Sequence, residues 1–206
     1  MRRTRVVLVL AVVLMLAVPA FAQDANQWEI DRAHSSAQFA VRHMGVSTVR
    51  GSFTGIQGTV TIDDKNLADS VIEVTIDATT VNTANQKRDD HLRSADFFDV
   101  ANHPTMTFKS KEVESAGADR LKVTGDLTMH GVTKEVVLDV EGPTAAVNAG
   151  RGMKRGVTAT TRLNRRDFGL LWGALVEGTA IVGDEIQVTI DLELNQQRPA
   201  AAGATQ

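Results

Sequence analysis

Between Glu185 and Leu194 the chain alternates almost without a break: Ile186, Val188, Ile190, Leu192 and Leu194 fall on one face, and Gln187, Thr189, Asp191 and Glu193 on the other. A period of two with one apolar face is the mark of a half-buried β-strand. The same period sets Ile72, Val74 and Ile76 against Glu73, Thr75 and Asp77, and Leu121, Val123, Leu127 and Met129 against Lys122, Thr124, Asp126 and Thr128. Val136, Leu138 and Val140 repeat it against Val137, Asp139 and Glu141. Segments near 28–34, 36–43, 52–63, 70–81, 105–114, 119–129, 132–141, 154–164 and 180–194 read as eight or nine strands, with no internal repeat. Short links such as Asp63-Asp64-Lys65-Asn66 and Gly183-Asp184 imply antiparallel neighbours joined by hairpins. Either a sandwich or a barrel uses strands with one apolar face. Several of the 16 glycines lie inside strands (Gly55, Gly58, Gly125), which favours a barrel, because closing a sheet needs sharp bends where a side chain would clash. The predicted fold is all-β, an antiparallel eight-stranded barrel with a short helical insert.

The insert is Gln86-Lys-Arg-Asp-Asp-His-Leu-Arg-Ser-Ala-Asp-Phe-Phe-Asp-Val100. Thr83 and Gln86 stand at capping-box spacing, which predicts a helix running to about Arg93. Phe97 and Phe98 follow in an otherwise polar loop and are expected to plug one end of the fold. The helix charges Arg88, Asp89, Asp90, Arg93 and Asp96 read as a solvated face laced with ion pairs.

An eight-stranded barrel is just wide enough to be filled by its own side chains or to hold one slender ligand. The chain has no tyrosine, and inward candidates such as Val157, Ala159 and Thr161 are small. Small linings leave a channel, although the pattern alone is equally served by close packing. The residues expected to line a channel are Phe39, Val41, Phe53, Ile72, Val74, Phe108, Val123, Leu127, Leu138, Val157, Val188 and Ile190. Arg42, His43, Arg50 and Arg88 are candidates for a mouth that meets a polar or anionic head group, since the guanidinium fork donates twice to a phosphate.

Residues 1–22 show Arg2, Arg3 and Arg5, an apolar run from Val6 to Val18 and then Ala20-Phe21-Ala22, the order of a cleaved secretory signal. The apolar run is shorter than the roughly 20 residues that span a bilayer, and no later segment reaches that length. A periplasmic location is therefore expected. Cleavage takes three of the 22 basic residues and no acidic one, so the mature chain is more acidic than the net charge of −3 of the whole, which makes nucleic acid an unfavourable partner. With no cysteine there is neither a lipoprotein attachment site nor a disulfide. The expected organisation is a signal at 1–22, disorder at 23–27, one barrel domain at 28–194 and a disordered tail at 195–206, with a homodimer left open.

The run from Gln86 to Val100 with His103-Pro104-Thr-Met-Thr-Phe108 after it resembles the YceI-like family. Asp31-Arg-Ala-His34-Ser-Ser-Ala-Gln-Phe39, Val41-Arg-His43-Met-Gly-Val-Ser47 and Val49-Arg50-Gly51-Ser-Phe53 are similar to its opening. Gly125-Asp-Leu-Thr-Met-His130-Gly-Val-Thr-Lys134 and Asn164-Arg-Arg-Asp167-Phe168-Gly169 are similar to later segments, in the same order, from about Trp28 to Leu194. The resemblance implies a lipocalin-like barrel that binds polyisoprenoid lipids, with an isoprenoid such as a quinone or prenyl phosphate as partner, no cofactor and no catalysis.

The rival chemistry is a metal-assisted hydrolase drawing on His34, His91, His103 and His130 with Asp89. No HxH or HxxxH pair occurs among the five histidines, so no metal site is expected, although His91 and His103 can approach in three dimensions. Ser35 beside His34 lacks the GxSxG setting of a nucleophile. A packed barrel serving as an interaction module is the third reading, disfavoured by a surface poor in aromatics.

Overall fold

The computed structural model describes residues 26–173, 175–176 and 179–197; the expected signal segment and most of the expected tail lie outside these. The strands are β1 (Gln27–Ile30), β2 (Ser36–His43), β3 (Ser47–Phe53), β4 (Ile56–Thr61), β5 (Val71–Asp77), β6 (Thr105–Gly117), β7 (Arg120–Met129), β8 (Val132–Glu141), β9 (Val147–Asn148), β10 (Met153–Asn164), β11 (Leu175–Val176), β12 (Thr179–Ala180) and β13 (Val182–Gln196). The main sheet runs β3-β2-β13-β1-β4-β5-β6-β7-β8-β10-β9, and β10 also pairs with β13, which closes it. β1 and β2 lie end to end along one edge of β13, and β3 and β4 lie end to end along the opposite edge of that pair. Eight antiparallel staves result: β1 with β2, β3 with β4, then β5, β6, β7, β8, β10 and β13.

The expected strand boundaries needed revision where side chains compete for the backbone. Strand 70–81 stops at Asp77, because the Asp77 carboxylate accepts from the Thr79 amide (2.9 Å) and starts a 3-10 turn over Ala78–Thr80. Gln27 and Asn195, expected at disordered ends, lie in strands: Gln27 pairs with Thr61 and Asn195 with both Glu29 and Lys154. These pairings carry the barrel seam. Gly58, on β4, takes φ +150°, and a Cβ there would lie 2.1 Å from the Glu73 carbonyl oxygen, so only glycine lets β4 and β5 approach at this bend.

Helix α1 (Gln86–Arg93) ends where expected but starts two residues later than a Thr83 cap would set it, on another cap. Asn85 is the N-cap, its side chain accepting from the Arg88 amide at 3.1 Å, while Gln86 turns away to donate to Asp90. Thr83 is engaged elsewhere: its amide and hydroxyl both donate to Asp89, at 2.8 and 2.5 Å, and the hydroxyl accepts from Arg88 Nε at 2.7 Å. Asp89 is thereby buried, against the expectation of a solvated face. Asp90 does behave as expected, pairing with Arg93 at the surface. Arg93 also donates to the Thr79 and Val81 carbonyls, so α1 is fastened to the 79–83 segment from three of its eight residues.

At the end of the barrel away from α1, Trp28, Ile30, Ile62 and Leu194 are buried in the core. The Arg155 guanidinium lies 4.9 Å over the Trp28 ring and forks onto Asp64 at 2.7 and 2.8 Å. Nearby, Lys154 joins Asp31 (3.1 Å) and Glu193, tying β10 and β13 to the β1–β2 corner. Burial pushes the Asp31 carboxyl up, but hydrogen bonds from Lys154, His34, Asn195 and the Ala33 amide outweigh it and hold the group well below the usual carboxylate range. A depressed folded pKa stabilises the fold above the unfolded value of about 4 and is lost as pH falls through the folded value. The stability advantage of the wild type over Asp31→Asn, measured by denaturant melts, should accordingly be full at neutral pH and shrink steadily below about pH 4; a difference independent of pH would contradict the assignment.

Candidate ligand cavity

Because successive side chains of a strand point to opposite faces, closing the sheet gathers one parity of every stave inside. The interior holds a cavity of about 230 Å³. The twelve residues expected to line a channel border it: Phe39 and Val41 of β2, Phe53 of β3, Ile72 and Val74 of β5, Phe108 of β6, Val123 and Leu127 of β7, Leu138 of β8, Val157 of β10, and Val188 and Ile190 of β13. The lining continues through Ala159, Thr161 and Leu163, and the only charged side chain among the described lining residues is Arg165. Ile72, Val157, Val188 and Ile190 retain partial exposure although they face inward. Their exposure is to the cavity. Close packing, the alternative the pattern left open, does not fill this interior.

The two ends differ. The Trp28 end is packed, as above. The opposite end is built by α1 with its following loop and by the segment after β10. Leu92, Phe97, Phe98 and Leu170 line the cavity there. Phe98 meets Phe53 edge-on at 5.4 Å, and Phe53 meets Phe39 at 5.7 Å, which extends the aromatic surface down one wall. Phe97 is buried, with Trp172 at 5.1 Å and His91 at 5.0 Å, so the two phenylalanines sit at one end, as expected, with Trp172 beside them. The β8–β10 ladder is limited to Thr158–Thr160 against Asp139–Glu141 and stops short of this end. Beyond it, the Thr161 hydroxyl donates to the Val137 carbonyl (2.8 Å), and a 3-10 turn, Arg165–Phe168, packs against β8.

Arg165 pins this end. Its Nη1 donates to the Leu170 and Trp172 carbonyls (2.5 and 2.7 Å), its Nε to the Gly183 carbonyl (3.0 Å), and its Nη2 to Val182 and to Asp184 (3.5 and 2.8 Å). Burial pulls the guanidinium down from its usual range, and Asp184 offsets part of that. Sequence reasoning noted the Asn164-Arg165-Arg166 run without giving Arg165 this place. The signal was present: the parity of Val157, Ala159 and Thr161, continued two steps, arrives at Leu163 and Arg165.

The four residues expected at a mouth are not brought together. Arg42 and Arg50 share a parity with Gln38 and Ala40, which puts them on the outer face; Arg42 donates to Thr48 (3.0 Å) and to the Gly45 carbonyl within its own hairpin. Arg88 is committed to Thr83, its Nη2 donating to that carbonyl at 2.9 Å. His43 ends β2 opposite Val182 and Ser47. None of the four lines the cavity.

Of the five residues a hydrolase would draw on, only His103 and His130 are brought together. His34 meets Asp31 and Glu193 beside the β1–β2 corner, His91 meets Asp96 at 2.9 Å, and Asp89 is spent on Thr83. His103 faces His130 at a ring distance of 5.2 Å, not His91.

Residues 28–194 match the YceI-like domain family. A UPF0312 protein of Vibrio parahaemolyticus is 40% identical over 157 residues, spanning 75% of this chain and 82% of its own. The crystal structure of the Campylobacter jejuni YceI protein superposes with a TM-score of 0.66 at 32% identity, covering 76% of this chain and 90% of the other. A polyisoprenoid-binding domain from Saccharophagus degradans shares the fold, with a TM-score of 0.61 at 18% identity over 82% and 98% of the two chains.

Lysine cannot reproduce the five-donor fork of Arg165. Arg165→Lys should leave several of these carbonyls unpaired, lower the melting temperature by several degrees and speed amide exchange in the stretch from Arg165 to Trp172. Unchanged exchange there would show that the arginine does not hold this end together.

Proposed function

Since the chain belongs to the YceI-like family, we propose that it is an exported binding protein that sequesters or carries an isoprenoid lipid, of the quinone or prenyl phosphate type, with the tail in the barrel cavity. The carrying observation is the cavity itself: an interior to which every stave contributes hydrocarbon or aromatic side chains. The Saccharophagus degradans fold-mate, a polyisoprenoid-binding domain, supports the same ligand class. Binding rather than catalysis is the reading these features favour, because among the described residues no carboxylate or imidazole lines the space where a tail would lie. The signal-like order of residues 1–22 supports a periplasmic site of action.

Magnitudes favour a long tail. Burying one methylene is worth roughly 0.8 kcal/mol, so a five-carbon unit contributes about 4 kcal/mol gross. Association costs about 4–15 kcal/mol before any net affinity appears. One isoprene unit therefore binds poorly, and several together can bind tightly without a specific polar contact. With the Trp28 end packed, the head group belongs at the α1 end.

Val123 and Leu138 are partners across β7 and β8, and both line the cavity. Val123→Arg and Leu138→Arg each put an unpaired charge where the tail would lie, at a cost of several kcal/mol. In a titration with a long-chain polyprenyl phosphate followed by tryptophan fluorescence, the wild type should bind and both folded variants should lose at least about 100-fold in affinity, which 1.4 kcal/mol per factor of ten makes a modest demand. Equal binding by all three would remove the tail from the cavity.

A further inference from the structure

Asp99, His103 and His130 come from two separate segments, the loop after α1 and the turn between β7 and β8, yet each offers one ligand atom within 4.8 Å of the others. All three are partly exposed. An ion with bonds of about 2.1 Å holds neighbouring ligand atoms about 3–3.5 Å apart, so an inward movement of roughly 1 Å brings this set to bonding distance.

Three further features prepare the site. His130 Nδ1 lies 3.2 Å from the Phe168 carbonyl, which can only accept; Nδ1 is thus the protonated nitrogen and Nε2 is left as a lone-pair donor. A backbone carbonyl on the far nitrogen is the usual way a metal-bound imidazole is oriented. Asp99 is oriented similarly, its Oδ2 accepting from the Asn102 amide at 2.8 Å, while its backbone carbonyl accepts from the His103 amide at 2.8 Å and so folds the two ligands onto one turn.

The backbone is also bent to present them. Asp99 has φ +45° and His130 has φ +51°, conformations that cost non-glycine residues energy. His130-Gly131 forms a two-residue hairpin with positive φ at both positions, a turn that ordinarily takes Asn-Gly. A Cβ on Gly131 would lie 2.7 Å from the His103 ring, so the glycine also leaves room for the second imidazole.

We propose that Asp99, His103 and His130 form a binding site for a divalent transition-metal ion. Two imidazoles and one carboxylate suit borderline ions such as Zn²⁺, Co²⁺ or Ni²⁺ better than Mg²⁺ or Ca²⁺. Three protein ligands leave at least one coordination position for water or an anion. The other such cluster among the described residues, Asp31, His34 and Glu193, already has the Lys154 ammonium within it and serves as an internal control. The site does not depend on the lipid reading.

The test is calorimetric titration of the chelator-washed protein with Zn²⁺ alone. The wild type should bind one equivalent. His130→Asn removes a ligand while installing the residue this turn prefers, so the fold should persist, and affinity should fall at least about tenfold, as should that of His103→Gln. His34→Gln should bind as the wild type does. No saturable binding by the wild type, wild-type affinity in both His130→Asn and His103→Gln, or loss in His34→Gln alone would overturn the assignment.

Discussion

The structure depends on one constraint: eight staves closed into a ring fix the width of the interior, and the side chains of one parity must either fill that width or leave it partly empty. Here they leave it partly empty. Val157, Ala159, Thr161, Val188 and Ile190 contribute little volume on the β10–β13 wall, and several remain partly exposed to the space they surround. A void of this kind forgoes dispersion contacts along its whole lining and would be destabilising if nothing occupied it. An apolar guest restores those contacts, which is why the same feature that weakens the empty barrel makes it a receptor.

The two ends divide the labour. Trp28, Ile30, Ile62 and Leu194 pack one end, and the Asp31–Lys154–Glu193 network joins the first, tenth and last strands around it. The other end is assembled from inserted segments and is held by buried polar groups. Asp89 fastens α1 to Thr83, and Arg165 gathers the carbonyls of Leu170, Trp172, Val182 and Gly183. Each is costly to bury and makes two or more hydrogen bonds, the condition under which such groups specify one conformation. Leu92, Phe97, Phe98 and Leu170 supply the apolar inner surface of that end.

The barrel was legible because its signal is local. Period-two alternation in β5, β7, β8 and β13 fixes which of their side chains face inward, and Ile72, Val74, Val123, Leu127, Leu138, Val188 and Ile190 border the cavity from those strands. What failed depended on long-range partners or on competition for the backbone. Thr83 has capping-box spacing to Gln86, yet Asp89 offers it two hydrogen bonds and Asn85 takes the cap. Arg42 and Arg50 looked like mouth residues until the β2–β3 register put them outside. The approach of His103 to His130 has no sequence spacing to announce it, because it is created by two separate segments meeting at one end of the barrel.

The most direct test is native mass spectrometry of the protein purified from its own source, followed by organic extraction of whatever it carries. The account predicts a stoichiometric adduct released by solvent and identified as an isoprenoid lipid, with the polypeptide mass beginning at Gln23. A protein that arrives empty and takes up no long-chain isoprenoid on exposure would contradict it.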